Sequence, residues 1–206
     1  MKKISCIIVS IFIVNMTLCG QDIKLPAPDK TGGKSLMEVL SLRKTNRNFS
    51  SNILSEKQIA NLLWAANGIN REDGKRTAPS ARNNQEIDIY TYLATGIYLY
   101  LPKENVLKLI KKGDFRKEAV KQEFAQKAPI LLIFVANYDK MEGMDESSRE
   151  FYGATDCGNV SQNVYLYCAS EGLNTVALGM IYRDEIKSAI GFNGKAILGQ
   201  PVGFPE

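Results

Sequence analysis

Two stretches decide the fold: Pro129-Ile130-Leu-Leu-Ile-Phe-Val135, and Ser147–Ser170, which reads SSREFYGATDCGNVSQNVYLYCAS. The charged loop Asn137–Glu146 joins them. The first run is apolar at every position over a strand's length. A strand with one wet face would alternate, so this one reads as a central strand buried on both faces. The second stretch has the length of a helix. Its apolar positions Ala154, Cys157, Val160, Val164, Leu166, Tyr167 and Cys168 spread over much of its circumference, and charge almost vanishes after Asp156. Such a helix is buried in a core or at a subunit interface. Gly172 is placed to cap it.

Outward from this pair, Ile87–Leu93 and Ile97–Leu101 are strand-like, and Ala94-Thr-Gly96 turns one into the other as a hairpin. Ser35-Leu-Met-Glu38 and Ser55-Glu-Lys-Gln58 both have the form of a capping box. The first should open a helix with Leu36, Val39 and Leu40 inward, ending near Arg43. The second should open a helix with Ile59, Leu62, Leu63 and Ala66 inward, closed by Asn67-Gly68. Lys103–Gln126 has helical spacing interrupted at Gly113-Asp114. As the insertion between hairpin and central strand, it is the natural lid over any site. Thr175–Leu178 reads as a strand running into Gly179, Arg183–Ile190 as a short helix, and Ala196–Val202 as a last strand. Arg71–Gln85 is a long polar loop. Helices and strands mix without strict alternation, which predicts an α+β domain over residues 35–206.

Composition narrows the chemistry. The chain has 206 residues and no histidine. That excludes Ser-His and Cys-His nucleophiles and the usual zinc and non-haem iron sites. Redox or acid–base work must come from a bound cofactor or from carboxylates, Lys, Tyr or Cys. The formal charge is +4, and removing Lys2 and Lys3 leaves +2. That is too near neutral to argue for nucleic acid or a membrane as partner.

Residues 1–20 have the layout of a secretory signal: Lys2 and Lys3, an apolar run Ile4–Val14, and a short polar patch ending at Cys19-Gly20. The run is shorter than the roughly 20 apolar residues that span a bilayer. Cleavage after Gly20 is expected, placing the protein in the periplasm or medium. Lipidation of Cys19, with membrane attachment, is the alternative. Residues 21–34 then form an extended arm. Cys157 and Cys168 stand three helical turns apart, about 16 Å along the axis. A disulfide needs Cα atoms within roughly 7 Å, so both are expected as buried thiols.

Three loop segments carry the candidate chemistry. Arg43-Lys44-Thr45-Asn46-Arg47 gathers three cations and a hydroxyl, suited to a phosphate or other anion. It equally suits a solvated helix end, where cations meet the dipole. Pro79-Ser80-Ala81-Arg82-Asn83-Asn84-Gln85 offers small residues and hydrogen-bonding groups for a planar heterocycle, or is a polar turn. Leu178-Gly179-Met180 follows a strand, where glycine lets a backbone N–H approach a ligand or marks a bulge.

In their order and spacing these segments resemble the nitroreductase family of FMN enzymes, in particular its azoline-dehydrogenase-like branch. The pattern Arg43-x-Thr45-x-Arg47-x-Phe49 and the loop Pro79-Ser80-x-x-Asn83-x-Gln85 carry the likeness. So do Asp156-x-Gly158…Gln162-Asn163, Glu171-Gly172-Leu173…Leu178-Gly179, and the closing Gly199-Gln-Pro201-Val-Gly203-Phe-Pro205. The resemblance covers roughly residues 35–206. It implies a nitroreductase-like mixed sheet flanked by helices, with a long buried central helix, in a homodimer with FMN between the subunits. By the same resemblance Arg43 and Thr45 hold the phosphate and ribityl chain, with Lys44 beside them, and Arg47 lies at the pyrimidine edge. Pro79, Ser80, Ala81 and Asn83 reach the ring from the other subunit. Gly179, with Leu178, brings a backbone N–H to flavin N5, where the chemistry resides. Many members carry a basic pair beyond the last Pro-x-Gly-x-Pro. Here the sequence ends at Glu206, leaving Lys44, Arg82 or Arg183 to complete the phosphate site.

The implied activity is an FMN-dependent oxidoreductase with two half-reactions, acting on a nitroaromatic, quinone or azoline-like molecule. NAD(P)H is the family's electron donor, and an exported enzyme meets little of it. A flavin-binding or interaction protein with the same fold and no turnover is the alternative, and an envelope protein without ligand a third.

Overall fold

The structure is a computed structural model that describes residues 21–206. The expected signal, with Lys2, Lys3 and Cys19, lies outside the described residues. Among them a seven-stranded antiparallel sheet has the order β1-β4-β3-β2-β5-β7-β6. The strands are β1 (Ile23–Lys24), β2 (Ile87–Leu93), β3 (Gly96–Leu101), β4 (Val106–Lys112), β5 (Ile130–Asn137), β6 (Asn174–Thr175) and β7 (Gly194–Gly203). The helices are α1 (Leu36–Leu42), α2 (Glu56–Asn67), α3 (Arg116–Ala119), α4 (Glu123–Lys127), α5 (Glu146–Glu171) and α6 (Arg183–Ile190). The α+β expectation holds.

β5 pairs with β2 on one side and β7 on the other, and all seven residues Ile130–Ala136 are buried. Ile130, Leu132, Phe134 and Ala136 point into one apolar cluster, completed by α2 and α5. Leu131, Ile133 and Val135 point into a second, formed with α3, α4 and α6. The unbroken apolar run therefore serves two cores. Each buried Leu, Ile or Phe contributes about 1.5–3 kcal/mol.

α5 begins at its N-cap Asp145, whose side chain accepts from Ser148 N–H at 2.7 Å. It ends at Gly172, which takes the left-handed conformation (φ 70°) that glycine adopts at least cost. Gly153 lets the helix press onto the sheet, since a Cβ there would stand 2.8 Å from that of Ala136. Cys157, Val160, Val164 and Cys168 face inward, while Phe151 and Ala154 are exposed, so the single chain covers only one side of α5. Cys157 and Cys168 are free and buried, as expected, and burial pushes the Cys157 thiol up to about 12.

Four expectations need correction. Val106–Lys112 is a strand, not the start of a helix, and joins β3 on one side and β1 on the other. Val106, Leu107, Leu109 and Ile110 fit helical spacing by eye, but pairing with neighbours overrides local pattern. Half of the proposed lid is thus fixed in the sheet, and only α3 and α4 remain of its helices. In α1 only Val39 is buried. Leu36, Met37, Leu40 and Leu42 are exposed, so Leu36 and Leu40 do not point inward within one chain. The Ser35 box is half made: Ser35 Oγ accepts from Glu38 N–H, but the Glu38 carboxylate turns to Lys34 Nζ at 3.0 Å. The Ser55–Gln58 box is complete. Lastly, β6 is shorter than Thr175–Leu178, although Leu178 exchanges two further backbone hydrogen bonds with Gly199.

Candidate functional site

Arg43 caps the C-terminus of α1, and the chain then runs extended alongside β6. Asn46 N–H donates to Thr175 O at 3.0 Å, and Asn46 Nδ2 to Asn174 Oδ1 at 2.7 Å. Asn174 returns a bond from Nδ2 to Asn48 O at 2.7 Å. The segment 43–47 is thereby pinned to the strand that leads to Gly179. Phe49, the last position of the arginine pattern, is buried and anchors the segment in the second core.

Tyr165, on α5, ties the pieces together. Its hydroxyl accepts from Ala177 N–H at 2.8 Å and lies 3.2 Å from Thr45 Oγ1, a hydrogen bond in which either hydroxyl can donate. The Arg43 guanidinium lies over its ring, 5.4 Å from the centroid. Arg47 lies 6.0 Å from the ring centroid of Phe124, on α4, so the end of the insertion does reach the site. Tyr165, Asn174 and Phe124 were not singled out from sequence. Aromatic residues in apolar stretches look like ordinary core.

Gly179 is exposed. Its carbonyl accepts from Ile181 N–H and from Arg183 Nη2, both at 3.2 Å. Among the described residues no acceptor lies against its own N–H. Its φ is not left-handed, and a Cβ there would meet nothing within 4 Å. Neither backbone strain nor packing within the chain explains a glycine here. Open space beside a bare N–H does. Leu178 is buried beneath it.

The loop Pro79–Gln85 is built differently. Arg82, Asn83 and Gln85 all have positive φ (53°, 57° and 52°), a conformation that costs a non-glycine residue about 1 kcal/mol each. Hydrogen bonds hold them there. Ser80 Oγ accepts from Gln85 N–H at 2.9 Å, Ala81 N–H donates to Asp156 Oδ2 at 2.8 Å, and Arg76 Nε donates to Gln85 Oε1 at 2.9 Å. Asn159 Nδ2 reaches Pro79 O at 3.4 Å. Pro79, Arg82 and Asn83 face outward, with Ser80 and Ala81 half-buried between them. The loop rests on α5 at Asp156 and Asn159, whereas the arginine segment meets that helix at Tyr165. From Asn159 to Tyr165 the helix rises about 9 Å, and no hydrogen bond joins loop and segment among the described residues.

Lys44 lines a cavity of about 390 Å³ with Lys34, Tyr165, Asn174, Thr175 and Pro205, beside the residues that brace the segment. The Arg183 guanidinium is spent on the carbonyls of Gly179, Ala196 and Ile197. Arg82 is exposed and its charge is free to act at a surface.

Against this geometry, the nitroreductase family model matches residues 40–204. The chain belongs to the nitroreductase family. It is 40% identical to a Ralstonia eutropha protein of known structure, provisionally named a nitroreductase, with a TM-score of 0.87 over 92% of this chain and 91% of that one. A Methanocaldococcus jannaschii protein, also provisionally named a nitroreductase, is 32% identical over 194 residues, spanning 89% of this chain and 98% of the relative. The NADPH:FMN oxidoreductase of Vibrio harveyi, solved with NAD⁺, shares the fold with a TM-score of 0.63 at 19% identity, over 82% of this chain and 68% of its own. In this nitroreductase-family chain, the pinned cationic segment, the bare Gly179 N–H and the strained loop all lie within the matched residues 40–204.

Proposed function

We propose that this protein is an FMN-dependent oxidoreductase whose site is completed by a second copy of the chain. The observation that carries this is the open space over Gly179, with its unpaired N–H, on the stretch of chain that continues from Asn174–Thr175, where the Arg43–Arg47 segment is pinned. The residues fit FMN. Arg43 and Thr45 are placed to hold the phosphate and ribityl chain, with Lys44 adding charge nearby. Arg47 supplies positive charge at the pyrimidine edge, where reduction makes the ring anionic. Leu178 and Gly179 would hold the ring, with the Gly179 N–H as the donor offered to it. Pro79, Ser80, Ala81 and Asn83 present themselves outward and belong to the site of the partner subunit.

The exposed side chains Leu36, Met37, Leu40 and Phe151 support the homodimer, because apolar groups on two adjacent helices need a cover. Bound FMN supplies the electron transfer. The chain's own residues bind, orient and stabilise negative charge, which suits a protein without histidine. The substrate class is a small electron-poor ring: a nitroaromatic, a quinone or an azoline. The azoline-dehydrogenase-like branch rests on the motif likeness alone. We further propose export, by residues 1–20, with Cys19 as the alternative lipidation site. NAD(P)H, which the names of two fold neighbours print, is the candidate donor, and export would limit the supply of it.

The test is the absorbance spectrum of the purified protein after mixing with FMN and removal of free flavin. A bound-flavin spectrum that bleaches with a donor supports the enzyme. A bound spectrum that no donor bleaches points to a binding protein. A colourless protein overturns both.

A further inference from the structure

Glu86 lies between the strained loop and the first residue of β2, and none of it is exposed. Neither carboxylate oxygen has a hydrogen-bond partner among the protein's donors. Its neighbour is the Asp156 carboxyl of α5, within hydrogen-bonding reach. That same carboxyl is buried and accepts from Ala81 N–H at 2.8 Å. Two buried carboxyl groups side by side cannot both ionise cheaply, because repulsion adds to desolvation.

The Lys140 ammonium relieves Glu86 only in part, because burial and the Asp156 carboxyl outweigh it. Lys140, in the short turn after β5, donates to Asp88 Oδ1 at 2.5 Å. Arg76, in the preceding loop, is bound to Gln85. Cys157, beside Asp156 on α5, is a buried thiol.

We propose that Glu86 keeps its proton and donates it to the Asp156 carboxylate, and that this carboxyl pair is the brace that sets the shape of the Pro79–Gln85 loop. Glu86 is a positioning residue. It donates to Asp156 and keeps that carboxyl aimed at Ala81 N–H, and through Ala81 it fixes the turn in which Arg82, Asn83 and Gln85 are strained. Burial, reinforced by Asp156, pushes the Glu86 carboxyl up to about 7. The folded state therefore binds the proton more tightly than the unfolded chain. Stability falls as pH rises from the ordinary glutamate value of 4.5 to about 7, and levels off above. The link to flavin rests on the function proposed above; the pair itself does not.

The experiment compares the parent with Glu86→Gln and Glu86→Ala at pH 4.5–8.5. It reads three things: the infrared carbonyl band of a protonated carboxyl, the melting temperature without flavin, and the Kd for FMN. The parent should show the band, lose melting temperature up to about pH 7, and bind FMN more weakly above it. One linked proton sets a ceiling of about tenfold per pH unit on that weakening. Glu86→Gln donates permanently, so it should lack the band, show a flat melting profile and keep its affinity in alkali. Glu86→Ala should lose affinity at every pH, and if it fails to fold, Glu86→Gln still decides. Absence of the band, or a parent-like pH profile in Glu86→Gln, overturns the proposal. If no variant binds FMN, the flavin function fails while band and melting profile still judge the pair.

Discussion

Asn46 and Asn174 brace the arginine segment with bonds of 2.7–3.0 Å to a strand and to each other, and none of its residues 43–47 has positive φ. The loop at Pro79–Gln85 has three strained residues and hangs on an aspartate whose neighbour is an unpartnered glutamate. One region is rigid because it borrows a sheet edge. The other holds a shape it would not choose, and needs a buried polar device to do so. The difference suits the tasks proposed for them: a phosphate grip would need charges at fixed positions, while a wall presented to another subunit would have to project away from its own core.

The largest effect tests whether the two regions work only across a subunit boundary. Met37→Glu with Leu40→Glu puts charge onto the exposed face of α1, and burying it at an interface would cost several kcal/mol. Sedimentation should show monomers with an unchanged circular dichroism spectrum, and FMN affinity should drop by about 100-fold or more. Monomers that still bind FMN normally would place loop and segment in one complete site per chain. A similar loss is expected for Arg43→Ala with Arg47→Ala, since each charge-assisted hydrogen bond is worth about 1.5–3 kcal/mol. Here the dimer should persist. Unaltered flavin binding would return the cluster to an ordinary helix end.

Next in size is Asn174→Ala. It removes the two side-chain bonds that pin the segment and leaves the backbone bond from Asn46 N–H to Thr175 O, so urea denaturation should show about 1–3 kcal/mol of lost stability, at about 0.5–1.5 kcal/mol for each bond. Tyr165→Phe is milder. It keeps the ring under Arg43 and deletes the hydroxyl between Ala177 and Thr45, for about 1 kcal/mol and a Kd for FMN weakened about fivefold. Equal FMN affinity in Tyr165→Phe would mean that Thr45 needs no second support.

The same two regions show how far the sequence can be read. β5, α5 and the β2–β3 hairpin are legible because length and apolar pattern agree with their final neighbours. β4 is not, because Val106–Ile110 satisfies two periods at once and only its partners β1 and β3 choose between them. The segments Arg43–Arg47, Pro79–Gln85 and Leu178–Met180 are visible as chemistry-bearing loops. Their supports are hidden. Tyr165 lies in an apolar helix, Asn174 at the edge of a buried strand, and Glu86 just before a strand, where an acid ordinarily meets water. Each meets its loop or its partner only through a contact made across 70 to 128 positions of sequence, as between Glu86 and Asp156 or Asn46 and Asn174, which no local pattern encodes.

Gly179→Ala is the smallest perturbation and the most discriminating. In the chain alone the added methyl meets nothing within 4 Å and the backbone is not left-handed. Stability without flavin should therefore be unchanged or rise by up to about 1 kcal/mol, because alanine restricts the unfolded chain. A planar ring lying over the N–H would meet that methyl, so FMN affinity should fall about tenfold. A stable variant with weakened FMN binding would locate the ring at the end of the braced segment, where the rigid region provides both charge and a donor N–H. A stable variant with full affinity would move the ring away from Gly179 and leave the arginine segment holding only the phosphate end.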